Sequence, residues 1–415
     1  MTTQRSSFMP RRTLAAVAIA VSLGALSVVP VGPARSAHAS VNVRTDIDLP
    51  NPTQPSEFGR LLPSTPIAPA RDVRPLRRSH EQIPATVPWG RGQRKTVADF
   101  LTTTHTRAFV VLHRGRLVTE WYDAHTGPTT KLASWSVAKA MAGLLTGQAI
   151  TEGRLTLDTR VVTVLPWLRV EHPADGDPRF NTITVRHLLD MTSGIDAAEG
   201  YQVNPLEDPT AVLSMLTGTY LMLVHPNMHS FASSHRRMVF DPGTRGEYVS
   251  YNTQLLSMVL SEVFGTDYIT AFVNRLWRPA GAQYPATWNL DHGGGIAKAF
   301  CCLNATARDF ARLGLLVAEA GGPGSRVSRA WLDRILTPQP KPLGGWPYST
   351  QFWHVPGDQR GKRANDVSAI GVFGQYIYLN RRTQTVIVKL SDHGIEEDEA
   401  LTFRAMRSIA RSWRH

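Results

Sequence analysis

The chain has 415 residues, a formal net charge of +12, 42% hydrophobic residues and two cysteines. That hydrophobic share supports a sizeable core and excludes a disordered or collagen-like chain, and two cysteines exclude a disulfide-stapled scaffold. The charge comes almost wholly from arginine, thirty-eight against seven lysines, scattered with no basic helix or aromatic-basic stripe, so nucleic acid is not the expected partner.

Residues 1–39 read as a signal peptide, with Arg11-Arg12 in a basic start, an apolar run from Leu14 to Val31 and Ala37-His38-Ala39 as the cleavage site. The run contains Gly24 and Pro30 and is short for a spanning helix. The expected product is secreted or extracytoplasmic, held at most at the cell wall, with no stable membrane insertion once the signal is cut. The arginine pair leaves Sec and Tat export both open. Residues 40–96 form an arm rich in Pro and Arg that either wraps the body or links it to a surface. The remainder, 97–415, is one domain.

In that domain "AFVVLHRGRLVTEWYDAHTG" (108–127) predicts a strand, a turn at His113–Arg116 and a second strand. A helix follows in "SWSVAKAMAGLLTGQAITEG" (134–153), stopped by Gly153. The next stretch is mostly helical, including "VRHLLDMTSGID" (185–196) and "TQLLSMVLSEVFG" (253–265), and a further helix lies in "ATARDFARLGLLVAEAGG" (305–322). The C-terminal part returns to a β-meander in "VSAIGVFGQYIYLNRRTQTVIVKLSDH" (367–393) and closes with an amphipathic helix. The order implies an α/β fold: an antiparallel sheet built from both chain ends and flanked by helices, with an all-helical region inserted at roughly 160–290. The adjacent Cys301 and Cys302 read as two small buried thiols, with a vicinal bridge as the alternative.

Three short stretches carry chemistry. Ser136-Val137-Ala138-Lys139 is the single S-x-x-K in the chain. Positions i and i+3 share a helix face, and a helix start favours developing negative charge. Val137, Ala138 and Met141 would desolvate Lys139, lowering its pKa so that it could take the serine proton. In "FDPGTRGEYVSYNTQLLS", Tyr248 and Ser250 lie two apart before a helix and point the same way, and a tyrosine beside a lysine can relay a proton. In "AIGVFGQYIYL", Gly371 allows close backbone approach, and the Val372 N–H could join that of Ser136 as an oxyanion hole.

Taken with "TVRHLLDMTSGID" and "CCLNATARDFARLG", these motifs give a chain that resembles the serine β-lactamase and penicillin-binding protein superfamily from about residue 95 onward. It is most similar to the class C-like branch of esterases and 6-aminohexanoate-oligomer hydrolases. The resemblance implies Ser136 as nucleophile, Lys139 as its base, Tyr248 as proton relay and the Ser136 and Val372 amides as oxyanion hole. It also implies substrate contacts at Ser250, Gly371 and Tyr201, the last by position with a loop tyrosine that touches the substrate amide. It implies a small-molecule ester or amide substrate and no metal or cofactor. Two positions depart from the family pattern. Ala369-Ile370-Gly371 stands where lactamases carry K-T-G, and Ser250 where many have Asn, which argues against an efficient β-lactamase or D-alanyl-D-alanine carboxypeptidase. A non-catalytic binding protein on the same scaffold is the other reading. An α/β-hydrolase lacks its G-x-S-x-G elbow despite "DHGGG" (291–295), and no H-E-x-x-H supports a zinc site. The sequence leaves the oligomeric state open.

Overall fold

A computed structural model of the chain describes residues 55–413 apart from 91, 198, 200–218, 323, 357, 359–360 and 394–397. Its strands are β1 (Ser64–Ile67), β2 (Thr86–Pro88), β3 (Arg94–Thr96), β4 (Thr106–His113), β5 (Arg116–Tyr122), β6 (Leu132–Ala133), β7 (Ala286–Asn289), β8 (Leu303–Ala305), β9 (Tyr348–Ser349), β10 (Phe352–Trp353), β11 (Asp366–Gly371), β12 (Gln375–Asn380) and β13 (Thr385–Ser391). The helices are α1 (Val97–Thr103), α2 (Lys139–Thr151), α3 (Val161–Val164), α4 (Val185–Leu189), α5 (Thr219–Val224), α6 (Met228–Ser234), α7 (Ser250–Phe264), α8 (Tyr268–Phe272), α9 (Ala307–Ala318), α10 (Arg329–Leu336) and α11 (Glu399–Arg411).

Seven strands form one antiparallel sheet in the order β5-β4-β13-β12-β11-β10-β9. The β4–β5 hairpin turns through Arg114 (φ 47°) and Gly115 (φ 73°), the two positive-φ positions that a two-residue turn needs. β13 then pairs with β4, so the two ends of the domain meet in the middle of the sheet. Successive side chains in a strand face opposite ways, and both faces here are covered. Val110, Leu112, Ile377, Val386 and Val388 pack into the larger core with Phe310 and Leu313 of α9. Phe109, Val111, Tyr378 and Ile387 pack on the other face with Phe100 of α1 and Phe403, Met406 and Ile409 of α11. Each such side chain contributes about 1.5–3 kcal/mol of burial. This double burial explains why β4 reads as an apolar run rather than an alternation.

The region between the sheet's two halves is mostly helical, as expected, but not wholly so. β7 lies within it and pairs with β1 of the arm and with β8, giving a second sheet in the order β1-β7-β8-β6. The sequence conceals this because both strands have four residues and one of them sits in a Pro-rich stretch. Arm residues from Pro55 onward run along the body. The Ala68 carbonyl accepts from Trp277 Nε1 at 2.9 Å, the Gly59 carbonyl accepts from Asn289 Nδ2 at 2.6 Å, and Ser56 bonds Asp392. At the centre, α2 packs on α7, and both are buried almost all round, which brings the start of each helix into one place. Among the described residues no single helix is long and apolar enough to cross a membrane.

Candidate active site

Ser136 sits in a 3-10 turn, Trp135–Ala138, that runs directly into α2 at Lys139. In that geometry residues i and i+3 eclipse, so the lysine lies over the serine. Lys139 Nζ donates to Ser136 Oγ at 2.7 Å and to the Phe300 carbonyl at 2.9 Å. Ser136 is partly exposed, while Lys139 is 1% exposed. The turn is fixed from two sides. Ser134 N donates to the Leu303 carbonyl at 2.8 Å, and Ser134 Oγ accepts from Leu303 N at 3.2 Å. Trp135, at φ 45°, is held in that unfavourable backbone region with its ring against Phe58 and Phe373, at centroid distances of 5.3 and 5.0 Å.

Burial lowers the Lys139 pKa to about 8, and the charge of Glu199 opposes that fall. An amine that is partly neutral near neutral pH, in hydrogen-bond reach of an accessible hydroxyl, can act as its base.

Tyr248 precedes α7 and closes the other side of the serine. Its phenol interacts with the Ser136 side chain, and Lys139 Nζ lies 4.9 Å from its ring centroid. Its ring packs against Trp353 and Tyr348, at 5.3 and 6.3 Å. The residue is half-buried, yet enclosure of the phenol, with the Glu199 charge second, pushes its pKa well above the ordinary value. Tyr248 is therefore a protonated donor at neutral pH.

The third stretch arrives as the end of β11. A Cβ on Gly371 would stand 2.7 Å from the Ser134 carbonyl oxygen and 2.9 Å from the Ser136 amide nitrogen, so only glycine lets the strand lie this close. The partly exposed Val372 follows immediately. The turn beyond it is braced by buried Gln375, whose Nε2 donates to the Ser391 carbonyl at 2.7 Å and the Phe373 carbonyl at 3.1 Å, while its Oε1 accepts from Ser391 N at 3.1 Å.

Ser250 is buried at the first turn of α7, and its N–H donates to the Glu199 carboxylate. Ser136, Lys139, Tyr248, Ser250, Gly371 and Val372 thus come from three separated stretches onto one focus, while Tyr201 lies outside the described residues. Sequence reasoning missed three contributors. Glu199 stands in "GIDAAEGY" (194–201), two residues before Tyr201, without any local partner to mark it. Gln375 and the Phe300 carbonyl carry no motif. The cysteine expectation is corrected: Cys301 and Cys302 are joined in a vicinal bridge, not present as two thiols. The chain turns sharply there, with Cys302 at φ 83°, and brings both side chains to one side just after Phe300.

A family model described as Beta-lactamase matches residues 94–411. The chain belongs to the β-lactamase family. As a member of the family it is a serine hydrolase. A curated relative, the 6-aminohexanoate-dimer hydrolase of Paenarthrobacter ureafaciens, is 31% identical over 307 residues, covering 70% of this chain and 74% of the relative. Among solved structures, a protein described as a candidate 6-aminohexanoate-dimer hydrolase from Bacillus anthracis superposes with a TM-score of 0.72 at 18% identity, covering 90% of this chain and 98% of that one. A class C β-lactamase superposes with a TM-score of 0.56 at 15% identity, covering 77% of this chain and 94% of that one. The two structural likenesses establish the shared β-lactamase fold, with its sheet drawn from both chain ends.

Proposed function

We propose that this β-lactamase-family protein is an exported hydrolase that cleaves an ester or amide bond of a small molecule through a covalent acyl-enzyme. Neutral Lys139 takes the Ser136 proton as Ser136 Oγ bonds to the substrate carbonyl carbon. The carbonyl oxygen takes up negative charge facing the Ser136 and Val372 amides. Tyr248 passes a proton to the leaving group as its bond to carbon breaks, and water then releases the acyl group by the reverse relay. Ser250, Gly371 and Tyr201 contact the substrate. No step calls for a metal or cofactor. The observation that carries this reading is the 2.7 Å contact between a buried amine and a reachable serine hydroxyl.

Amide cleavage is favoured beside ester cleavage by the likeness to a 6-aminohexanoate-dimer hydrolase. β-Lactam or D-alanyl-D-alanine substrates are disfavoured because their carboxylate would find Ala369, buried with Val367 and Ile377, in place of a cation. Export rests on the character of residues 1–39. The test is Ser136→Ala with p-nitrophenyl butyrate as substrate. Loss of all but a few per cent of turnover in a folded variant supports the reading, and substantial residual turnover points to another nucleophile.

A further inference from the structure

Glu199 is 6% exposed and stands against the catalytic cluster without belonging to any of the three motifs. One carboxylate oxygen accepts the Ser250 N–H at the start of α7, and the other, Oε2, has no hydrogen-bond partner among the described residues. Its charge acts on Lys139, Tyr248 and Tyr348.

The N-terminus of α7 accounts for one oxygen. Val249, the residue before α7, offers no side-chain cap, so a carboxylate from 51 residues away takes the free N–H there. A neutral acceptor would have served that purpose. The cap explains neither a full negative charge nor the orphaned Oε2, because an unpaired buried acceptor is costly.

Lys139 supplies the missing reason. Two features oppose an ammonium at its position: burial, and a place at the first residue of α2, where the helix dipole is positive. Among the described residues the charge that favours it is that of Glu199. We propose that Glu199 is a positioning residue whose carboxylate is the counter-charge for the ammonium that Lys139 becomes on taking the Ser136 proton. This rests on the proposed function above. The proton moves from Ser136 Oγ to Lys139 Nζ while Oγ bonds to the acyl carbon, and Glu199 keeps its own protonation state throughout. Its role is to stabilise the charge that appears next to it.

The other groups in the cluster do not supply that charge. Lys139 faces the Ser136 hydroxyl, the Phe300 carbonyl and the Tyr248 ring, all neutral. Tyr248 also feels Glu399, and Tyr348 feels Asp190, whose carboxylate is paired with Arg334 at 2.5 Å.

The test uses full-chain protein carrying Glu199→Gln or Glu199→Asp. The second-order rate of Ser136 labelling by a fluorophosphonate is followed from pH 5 to 10, with melting curves to confirm folding. Gln keeps an acceptor for the Ser250 N–H and loses only the charge. Its acid limb should move down by about one pH unit or more, the effect of removing one close opposite charge. Asp keeps the charge, and its limb should stay within roughly half a unit of wild type. An unmoved limb in Glu199→Gln overturns the proposal. So does a limb that moves as far in Asp as in Gln, or by a unit or more in Asp alone if the Gln variant does not fold, because geometry rather than charge would then be at work. Absence of Ser136 labelling in wild type sinks the proposed function itself, whereas labelling with an unmoved limb sinks only the role of Glu199.

Discussion

Replacing Lys139 by methionine keeps the apolar stem and removes the amine, and it should expose what the catalytic base costs the fold. Burial holds the amine at about 8, against 10.5 for the free side chain, a gap of about 2.5 units. At 1.36 kcal/mol per unit this is about 3 kcal/mol. The sign follows from proton counts. Between pH 8 and 10.5 the unfolded chain holds the proton and the folded one does not, so wild-type stability rises with pH across that window. Below it the full cost is present. Above it the amine is neutral in both states and the cost is gone. Against this, Lys139→Met leaves the Phe300 carbonyl without its donor, a loss of about 1–3 kcal/mol at any pH.

The variant should therefore be about as stable as wild type, or modestly more so, at pH 7. It should fall behind by pH 10.5, the difference between the two proteins swinging by about 3 kcal/mol. Reversible urea unfolding at pH 7, 8, 9 and 10.5 reads this directly. A difference that stays flat with pH would refute the idea that burial suppresses the ammonium. The same window governs activity: wild-type kcat/KM should rise with pH through an apparent pKa near 8, and Lys139→Met should be inactive throughout.

Three further outcomes follow from the geometry. Gly371→Ala should lower kcat for p-nitrophenyl butyrate roughly 10²–10³-fold, the value of an oxyanion donor, because its Cβ would crowd the Ser136 amide at 2.9 Å, and near-normal kcat would show that the strand end plays no such part. Tyr248→Phe should cost roughly 10²–10⁴-fold on amides and clearly less on p-nitrophenyl esters, whose leaving group needs no proton, and equal losses on both would remove Tyr248 from proton transfer. Hydrolysis of short-chain esters or amides should exceed that of nitrocefin in kcat/KM by at least ~100-fold, since a charge-assisted contact of about 1.5–3 kcal/mol is missing at Ala369, and comparable rates would contradict the ester/amide reading.

Local chemistry was legible in the sequence where two groups lie within one turn. Ser136 and Lys139 are three residues apart, so their contact follows from helix geometry and the apolar surroundings from composition. The hairpin at Arg114-Gly115 and the meander from β11 to β13 were legible because turn residues and strand alternation are short-range signals. Glu199 was not, since its meaning lies in a contact with Ser250 made 51 residues later. The Phe300 carbonyl was not, because any residue supplies a carbonyl. The pairing of β1 with β7 joins strands more than two hundred residues apart, neither long enough to show a pattern. The bridge between Cys301 and Cys302 depended on a backbone turn that adjacency alone does not specify.

The central claim is that the hydroxyl at position 136 attacks the substrate. It is tested most directly by reacting the folded full chain with a fluorophosphonate at about pH 8.5, above the pKa near 8 at which Lys139 becomes mostly neutral, and mapping the adduct by peptide mass spectrometry. One phosphonyl group on Ser136, absent from Ser136→Ala, is the expected result. An adduct on another residue, or none on a protein shown to be folded, would contradict the account.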